Sequence, residues 1–162
     1  MNLRAGQLIQ SLSKELSAWP VHSIGVDLVH IARIEESLRD FGDRFARRFF
    51  TPGEIAYAES APLHRLERYA ARFAAKEAAI KALSLSEAGL DWRDVEVVRA
   101  DDGACTLELR GAALHAARAR RVGRVLVCLS HDGEYAVAVV AALSDTDEPG
   151  GVRRIPPHDD TH

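Results

Sequence analysis

The segment RFAAKEAAIKAL, residues 72–83, places a carboxylate and an amine, Glu77 and Lys81, four residues apart. Its alanines favour a helix, because alanine has the highest helix propensity of all residues. On a helix the two side chains lie on one side, where the carboxylate could bind a metal ion and the ammonium a phosphate. The same spacing suits a simple ion pair that stabilises the helix by about 0.2–0.5 kcal/mol. The segment alone leaves both interpretations open.

The helical pattern puts this pair at the border between core and solvent. One apolar stripe at helical spacing predicts the buried face. Its members are Leu66, Tyr69, Phe73, Ile80 and Leu83. Glu77 lies at one edge of the stripe with Lys81 beside it, and alanines on the same flank leave room for a close approach. Arg72 and Lys76 lie at the other edge, where they either bind an anion or extend from the core border into solvent.

Asp27 interrupts the apolar segment IGVDLV, which predicts a strand. Aspartate is disfavoured in strands and is seldom buried unless it is paired. Asp27 therefore either faces water on an edge strand, caps the following helix, or binds a metal ion. Together with Glu77 it would form a two-carboxylate oxygen site, which Mg²⁺ completes with waters and substrate phosphates.

His131 lies in the segment CLSHDG, where a strand leaves the sheet and enters a turn. Functional groups are frequent at such places, although an ordinary turn histidine fits equally. The other histidines lack metal-ligand spacing. The sequence contains no glycine-rich phosphate loop, nucleophile-elbow serine or plausible Cys/His pair. If the protein is an enzyme, its nucleophile comes from the substrate.

The elements that must position these residues follow from periodicity and turn signals. In chain order they are a strand from His22, a helix ending near Gly42, a helix starting at TPGE (Thr51–Glu54), a long helix over about 64–83, a hairpin over 94–110, a helix over 111–121 and a hairpin around His131–Gly133. The TPGE segment combines a hydroxyl N-cap, an N1 proline and an N3 glutamate. This order predicts an α+β fold with a mostly antiparallel sheet.

Composition predicts one globular domain over residues 22–143. The chain has 162 residues, 47% of them hydrophobic and 28% charged. Residues 1–21 are predicted to be an N-terminal helical extension, and 144–162, rich in Pro, Gly, Asp and Thr, a disordered tail.

The net charge and the length of the apolar segments limit the possible binding partners and the cellular location of the protein. A net charge of −3 argues against general nucleic-acid binding. No apolar run approaches membrane-spanning length, and the N-terminus is not a secretory signal. Two cysteines within strand-like segments, Cys105 and Cys128, are predicted to be buried free thiols. We therefore expect a cytoplasmic protein that does not contact membranes.

Three segments in chain order resemble the motifs of the bacterial holo-acyl-carrier-protein synthases, a trimeric group of 4′-phosphopantetheinyl transferases. They are GVDLVHIAR (25–33), RFAAKEAAIKAL (72–83) and VLVCLSHDGEYAVAVV (125–140). RFARRFFTPGE (44–54) is similar to the basic helix of that group and the T-x-x-E that follows it. The resemblance covers about residues 22–143, and its central segment is highly specific.

The resemblance implies transfer of 4′-phosphopantetheine from coenzyme A to a serine of an acyl carrier protein, with release of 3′,5′-ADP. That serine would explain the missing nucleophile. Asp27 and Glu77 match the Mg²⁺ ligands of the family, although Mn²⁺ suits the same oxygens. Lys81 matches a phosphate-contacting lysine. Glu77 is in addition the candidate to accept the serine proton, directly or through a bound water. The family further implies a homotrimer with active sites between subunits.

Other positions match the binding residues of the family. His131 matches a histidine near the coenzyme A phosphates, and Asp132 beside it either assists or only forms the turn. Arg72 and Lys76 are candidates for the nucleotide phosphates. For the acidic carrier protein, Arg33 matches a partner-binding arginine. Arg44 and Arg48 lie in the matching basic helix, which composition alone would make a solvated amphipathic face.

The sequence departs from the family in the loop after Lys81, SLSEAGL (84–90), which replaces a glycine-rich turn. In the last motif, Leu126 and Cys128 stand where the family often has histidine and serine. A non-catalytic module that binds coenzyme A or a carrier protein therefore stays open beside the transferase, as does a structural subunit that docks through the N-terminal helix. Both terminal extensions lie outside the matching region.

Overall fold

A computed structural model describes residues 21–85 and 89–145 of the chain. The predicted helix in residues 1–20 and almost all of the predicted tail lie outside these residues. Ser144, where we predicted the tail to begin, is still the last residue of a strand. No helix among the described residues has the length and apolar character that crossing a membrane requires.

The described residues form five strands and five α-helices, and the strands follow the order that the sequence predicts. The strands are β1 (Val21–His30), β2 (Val95–Arg99), β3 (Cys105–Leu109), β4 (Val122–Asp132) and β5 (Tyr135–Ser144). The helices are α1 (Ile31–Phe41), α2 (Asp43–Phe49), α3 (Pro52–Glu59), α4 (Arg65–Leu83) and α5 (Gly111–Ala119), with short 3₁₀ turns at Pro62–His64 and Trp92–Asp94. The TPGE signal forms a complete capping box at the start of α3.

The sheet order confirms the α+β prediction. Strands β1, β5 and β4 form an antiparallel three-stranded sheet in that order, and β2 pairs with β3 in a separate antiparallel hairpin. Helix α4 lies across one face of the three-stranded sheet and contacts all three strands. It therefore forms the centre of the core and connects the two edges of the sheet.

Small residues let α4 approach the sheet closely. The sheet-facing side of α4 is made largely of buried alanines, and β5 meets it with Ala136, Ala138 and Val140. On β1 the contact point is Gly25, where an added Cβ would lie 1.9 Å from the carbonyl oxygen of Ala78. Only glycine is compatible with this contact between strand and helix backbones.

The orientation of α4 differs from the predicted stripe. Tyr69 and Leu83 are buried as predicted, but Leu66, Phe73 and Ile80 are only partly buried. The alanines that we placed on a flank of the stripe instead form the closest contact with the sheet. The periodicity analysis assigns the buried face from the bulky apolar side chains. The close packing of α4 against Gly25 instead requires the smallest side chains on the face that contacts the sheet.

Two further predictions need correction. The second hairpin turns at Gly133 and Glu134, because Asp132 still pairs with Tyr135, so His131 and Asp132 belong to the end of β4. Both cysteines are free, but Cys128 is exposed and Cys105 only half-buried. Cys128 is exposed because side chains alternate along a strand, and at this position the side chain points to the outer face of the sheet, away from α4.

Candidate active site

Asp27, Glu77 and Lys81 come together where β1 crosses α4. Asp27 pairs in register with Ala138, a buried residue of the face that α4 covers, so its side chain points toward the helix. The Lys81 ammonium donates to Asp27 Oδ1 at 2.6 Å and to the carbonyl oxygen of Val26 at 3.2 Å. The ion-pair partner of Lys81 is thus Asp27 on the strand, not Glu77 one turn earlier in the helix.

The electrostatics of this cluster are those of a partly desolvated pair of acids. The Asp27 side chain is 15% exposed and that of Lys81 is 52% exposed. Partial burial raises the pKa of Glu77 above its ordinary value, the negative charge of Asp27 raises it further, and Lys81 opposes both effects. The hydrogen bond to Asp27 raises the pKa of Lys81. Positive charge placed between the carboxylates would favour their ionised forms.

This donor set fits a hard divalent cation. Two carboxylates are a sufficient protein contribution for Mg²⁺, which keeps waters and substrate oxygens in its other positions. Among the described residues, no group of three or more His, Cys, Asp or Glu side chains could enclose a metal ion. The carboxylates therefore fit an open cation site that a phosphate ligand would complete, and they do not fit a closed structural zinc site.

A second cluster surrounds Tyr57 in a pocket of about 620 Å³ between α3, α4, β2, β3 and β4. The guanidinium carbons of Arg72, Arg68 and Arg99 lie 3.9, 4.2 and 6.0 Å from the centroid of the Tyr57 ring. His131 lines the same pocket from the end of β4. The lining is rich in cationic groups, which favours an anionic ligand.

Arg72 is the deepest of these cations. The residue is only 4% exposed, and its burial lowers the pKa of the guanidinium. Its Nε atom is buried and, within the described part of the chain, has no hydrogen-bond partner. A buried donor left unpaired costs about 1–3 kcal/mol, and a phosphate oxygen would satisfy it.

Lys76 does not reach either cluster, contrary to our prediction that it contacts coenzyme A phosphates. Its side chain is fully buried and its ammonium lies 2.8 Å from Glu54 Oε2. It also donates to the carbonyl oxygens of Val95 and Trp92. All three of its donors are used inside the protein, so we assign Lys76 a structural role.

A third feature is a basic groove on the side of α2. It has a volume of about 990 Å³ and is lined by the aromatic rings of Phe45, Phe49 and Trp92 and, at its rim, by Arg44 and Arg48. The Trp92 ring stacks on Phe73 of α4 with 5.2 Å between ring centroids, so the groove floor rests on the central helix. Apolar and cationic groups together suit an amphipathic, acidic partner.

Comparison with known proteins decides the family. The family model described as ACPS, the 4′-phosphopantetheinyl transferase superfamily, matches residues 23–140, which contain all three features. The chain belongs to this superfamily. The family prediction made from the three sequence motifs is confirmed.

Curated relatives of this transferase carry a more specific name. A holo-[acyl-carrier-protein] synthase of Gloeobacter violaceus is 46% identical over 125 residues, which is 76% of this chain and 93% of the relative. A protein of the same name from Anaeromyxobacter dehalogenans is 48% identical over 120 residues, 72% of this chain and 91% of the relative. The match thus spans nearly the whole length of these synthases.

Solved structures confirm the transferase fold. The holo-[acyl-carrier-protein] synthase of Helicobacter pylori, solved in complex with coenzyme A, superposes with a TM-score of 0.65 at 30% identity, covering 74% of this chain and 98% of that one. The synthase of Neisseria meningitidis superposes with a TM-score of 0.66 at 28% identity, covering 75% of this chain and 98% of that one.

In the transferase chain five of the predicted residues fall into two separate groups. Asp27 lies on edge strand β1 and His131 on edge strand β4, with β5 between them. Both face the side of the sheet that α4 covers, but each lies beside a different part of that helix. The structure therefore brings Glu77 and Lys81 to Asp27 and brings Arg72 to His131, without joining the two groups.

Sequence reasoning missed several residues of the cationic pocket. Arg68 precedes Arg72 by one helical turn, which could have marked it, whereas Arg99 and Tyr57 come from distant elements. Of the other predicted residues, Asp132 is exposed at the end of β4, and Arg33 is exposed on α1. Arg44 and Arg48 are exposed on α2, consistent with a surface role.

Proposed function

We propose that this protein transfers 4′-phosphopantetheine from coenzyme A to a serine hydroxyl of an apo acyl carrier protein, giving holo carrier protein and 3′,5′-ADP. The relatives carry the name of this reaction. The observation that carries the proposal is the meeting of Asp27, Glu77 and Lys81 at the crossing of β1 and α4. Two carboxylates and an ammonium can bind a cation and a phosphate together, which is what phosphoryl transfer needs.

Asp27 and Glu77 would hold Mg²⁺, and Mn²⁺ suits the same oxygen donors. When bound, the metal supplies positive charge beside the pyrophosphate of coenzyme A. Lys81 contacts the same phosphates through its half-exposed ammonium and stabilises the departing 3′,5′-ADP.

The serine oxygen forms a bond to the phosphorus that carries the pantetheine arm, and the bond from that phosphorus to 3′,5′-ADP breaks. We assign acceptance of the serine proton to Glu77, directly or through a water. A glutamate carboxylate within reach of the hydroxyl can act as a general base.

The nucleotide end of coenzyme A binds in the cationic pocket. Arg72 offers its unpaired Nε–H to a phosphate oxygen, and His131 closes the pocket from the end of β4. Arg68 and Arg99 add positive charge around Tyr57. Asp132, next to His131 in the sequence, would be a secondary contact. Coenzyme A is thereby held by its phosphates while its pantetheine arm extends toward the carrier protein.

The active protein is a homotrimer in which one subunit supplies Asp27, Glu77 and Lys81 and its neighbour supplies Arg72 and His131. Support comes from the separation of the two groups within one chain. Further support comes from the outer face of the sheet, an exposed apolar patch across all three strands. Its members are Ile24, Val26, Leu28, Leu126, Tyr135 and Val139. A patch of this kind marks a protein interface, and other subunits would cover it.

The acyl carrier protein docks with its acidic surface on Arg33, Arg44 and Arg48. The two arginines on α2 stand at the rim of the aromatic groove, so an acidic helix could pair with them while its apolar side chains enter the groove. The free thiols Cys105 and Cys128 are consistent with the reducing cytoplasm, where we place the protein.

Mixing two inactive variants tests the shared site. Glu77→Gln removes one of the two proposed metal-binding carboxylates, and His131→Ala removes the imidazole that lines the cationic pocket. Each homotrimer should be inactive or nearly so. If subunits are exchanged by mild denaturation and refolding of a mixture, some sites receive both intact groups, and activity should return.

Absence of any recovery, with mixed trimers demonstrated by native mass spectrometry, would contradict the shared site. If the unmixed wild-type protein binds coenzyme A but modifies no apo carrier protein, the non-catalytic binding subunit becomes the better account.

A further inference from the structure

The Lys81 ammonium is bonded to one of the carboxylate oxygens that the proposed cation site needs. Its Nζ atom lies 2.6 Å from Asp27 Oδ1, and the Asp27 side chain is mostly buried, so few other positions of that carboxylate are accessible. A second bond to the carbonyl oxygen of Val26 holds the ammonium over β1. Glu77, on the same helix one turn earlier, lies close enough for its charge to be felt by both residues.

A divalent cation and this ammonium cannot both contact Asp27 at full strength. Mg²⁺ binds a carboxylate oxygen at about 2.0–2.1 Å. If the Lys81 ammonium stayed on the same oxygen, it would lie in contact range of the metal ion, and the two positive charges would repel each other. Partial burial of Asp27 weakens the screening between them. The Lys81 side chain is half exposed and has a flexible stem, so it is free to swing away.

We propose that Lys81 is an internal counter-cation of Asp27 that metal binding displaces, and that the displaced ammonium is the one that contacts the phosphates. The inference rests on the proposed metal site and goes beyond it, because it couples two steps of binding. Lys81 holds Asp27 oriented toward α4 until the metal takes over. Metal binding then frees Lys81 for coenzyme A.

The inference predicts that neutralising Lys81 strengthens metal binding. In Lys81→Met the competing ammonium is lost, so Mn²⁺ should bind about fivefold more tightly, the upper range for one partly exposed ion pair. Phosphoryl transfer should fall in the same variant, since the phosphate contact is lost too. A residue that only positioned Asp27 would give the opposite result, with weaker metal binding after substitution.

Mn²⁺ binding is measured by the electron paramagnetic resonance signal of the free ion, titrated against the full-length protein. Lys81→Arg keeps the charge and is expected to bind Mn²⁺ as the wild type does. Arg118→Met, which removes an exposed charge from α5, controls for the overall charge of the protein and should change the affinity less than twofold. Asp27→Asn and Glu77→Gln identify the site by abolishing the binding.

A chemical readout follows the ammonium itself. The chain has three lysines, Lys14, Lys76 and Lys81, and their acetylation by a water-soluble ester can be resolved by peptide mass spectrometry. Saturating Mg²⁺ should raise the acetylation rate of Lys81 about threefold, because breaking an ion pair of this strength frees the amine by a similar factor. The rate at Lys14, which lies outside the described residues, serves as the internal reference.

Unchanged or weaker Mn²⁺ binding in Lys81→Met would overturn the inference while leaving the metal site in place. An unchanged acetylation rate at Lys81 under saturating Mg²⁺ would overturn it as well. Absence of any Mn²⁺ binding that depends on Asp27 and Glu77 would overturn the metal site of the proposed function and this inference with it. The two failures are therefore distinguishable.

Discussion

Gly25→Ala tests how the packing of β1 on α4 sets the geometry of the site. An added Cβ would lie 1.9 Å from the carbonyl oxygen of Ala78 and 2.8 Å from the amide nitrogen of Ala82. Both neighbours are backbone atoms of a helix and cannot swing aside. Merely reaching 3.0 Å from the Ala78 oxygen requires a separation of 3.0 minus 1.9, or 1.1 Å, between strand and helix.

This shift affects both stability and activity. Overpacking of a core costs about 1–3 kcal/mol, and a clash between backbones belongs at the upper end, so we expect a loss of about 3 kcal/mol in the free energy of unfolding. Asp27 lies two residues from Gly25, and Glu77 is adjacent to Ala78. A misplacement of about 1 Å between catalytic groups can lower a rate by about 10²-fold. The transfer rate should therefore fall by about that factor even in the folded fraction.

Urea denaturation followed by circular dichroism gives the stability, and transfer to a carrier protein below the unfolding range gives the rate. Gly42→Ala is the matched control: Gly42 has a φ of 51°, but its nearest neighbour to an added Cβ lies 3.9 Å away. It should lose about 1–3 kcal/mol through backbone strain, because residues other than glycine rarely adopt φ 51° with ψ −133°. The transfer rate of its folded fraction should stay that of the wild type, so the rate separates this control from Gly25→Ala. A Gly25→Ala protein with wild-type stability and rate would refute this account of the packing.

Three further predictions follow from other contacts. Lys76→Met leaves the Glu54 carboxylate buried without its cation and should lower the free energy of unfolding by about 3–5 kcal/mol; a loss below 1 kcal/mol in urea denaturation would contradict the buried pair. Burial, and then the hydrogen bond to Glu59, raise the pKa of Tyr69 above its ordinary 10.0. The neutral hydroxyl therefore stabilises the folded state fully below pH 10, and this stabilisation is lost as the pH rises above 10. The stability difference between wild type and Tyr69→Phe should therefore shrink between pH 9 and 11 (about one unit on either side of the ordinary tyrosine pKa), and a constant difference would be contrary evidence. Replacing Arg44 and Arg48 together by glutamine should raise KM for the carrier protein about tenfold at low salt with kcat little changed, and an unchanged KM would remove α2 from the docking surface.

Local signals in the sequence predict the elements well. The capping box of TPGE starts α3 where expected, and the alanine-rich segment is a helix to Leu83. The α+β order is also confirmed. These features depend on neighbours in the chain, so a single sequence contains the information that determines them.

Features that depend on distant contacts could not be predicted in the same way. Periodicity placed Lys76 at the edge of the core, but its burial depends on Glu54 and on carbonyl groups near β2, which no local pattern reveals. The cationic pocket joins Tyr57, Arg72 and Arg99 from three elements around one ring. The choice of alanines as the sheet-facing side of α4 follows from Gly25 on another element.

The central claim is the transfer reaction, and intact-mass spectrometry of a carrier protein tests it most directly. An apo acyl carrier protein is incubated with coenzyme A, Mg²⁺ and this protein. We predict a mass gain of one phosphopantetheine per carrier, which is lost with EDTA and with Glu77→Gln. No mass gain on several apo carriers, although coenzyme A still binds, would contradict the transferase account and favour a non-catalytic binding subunit.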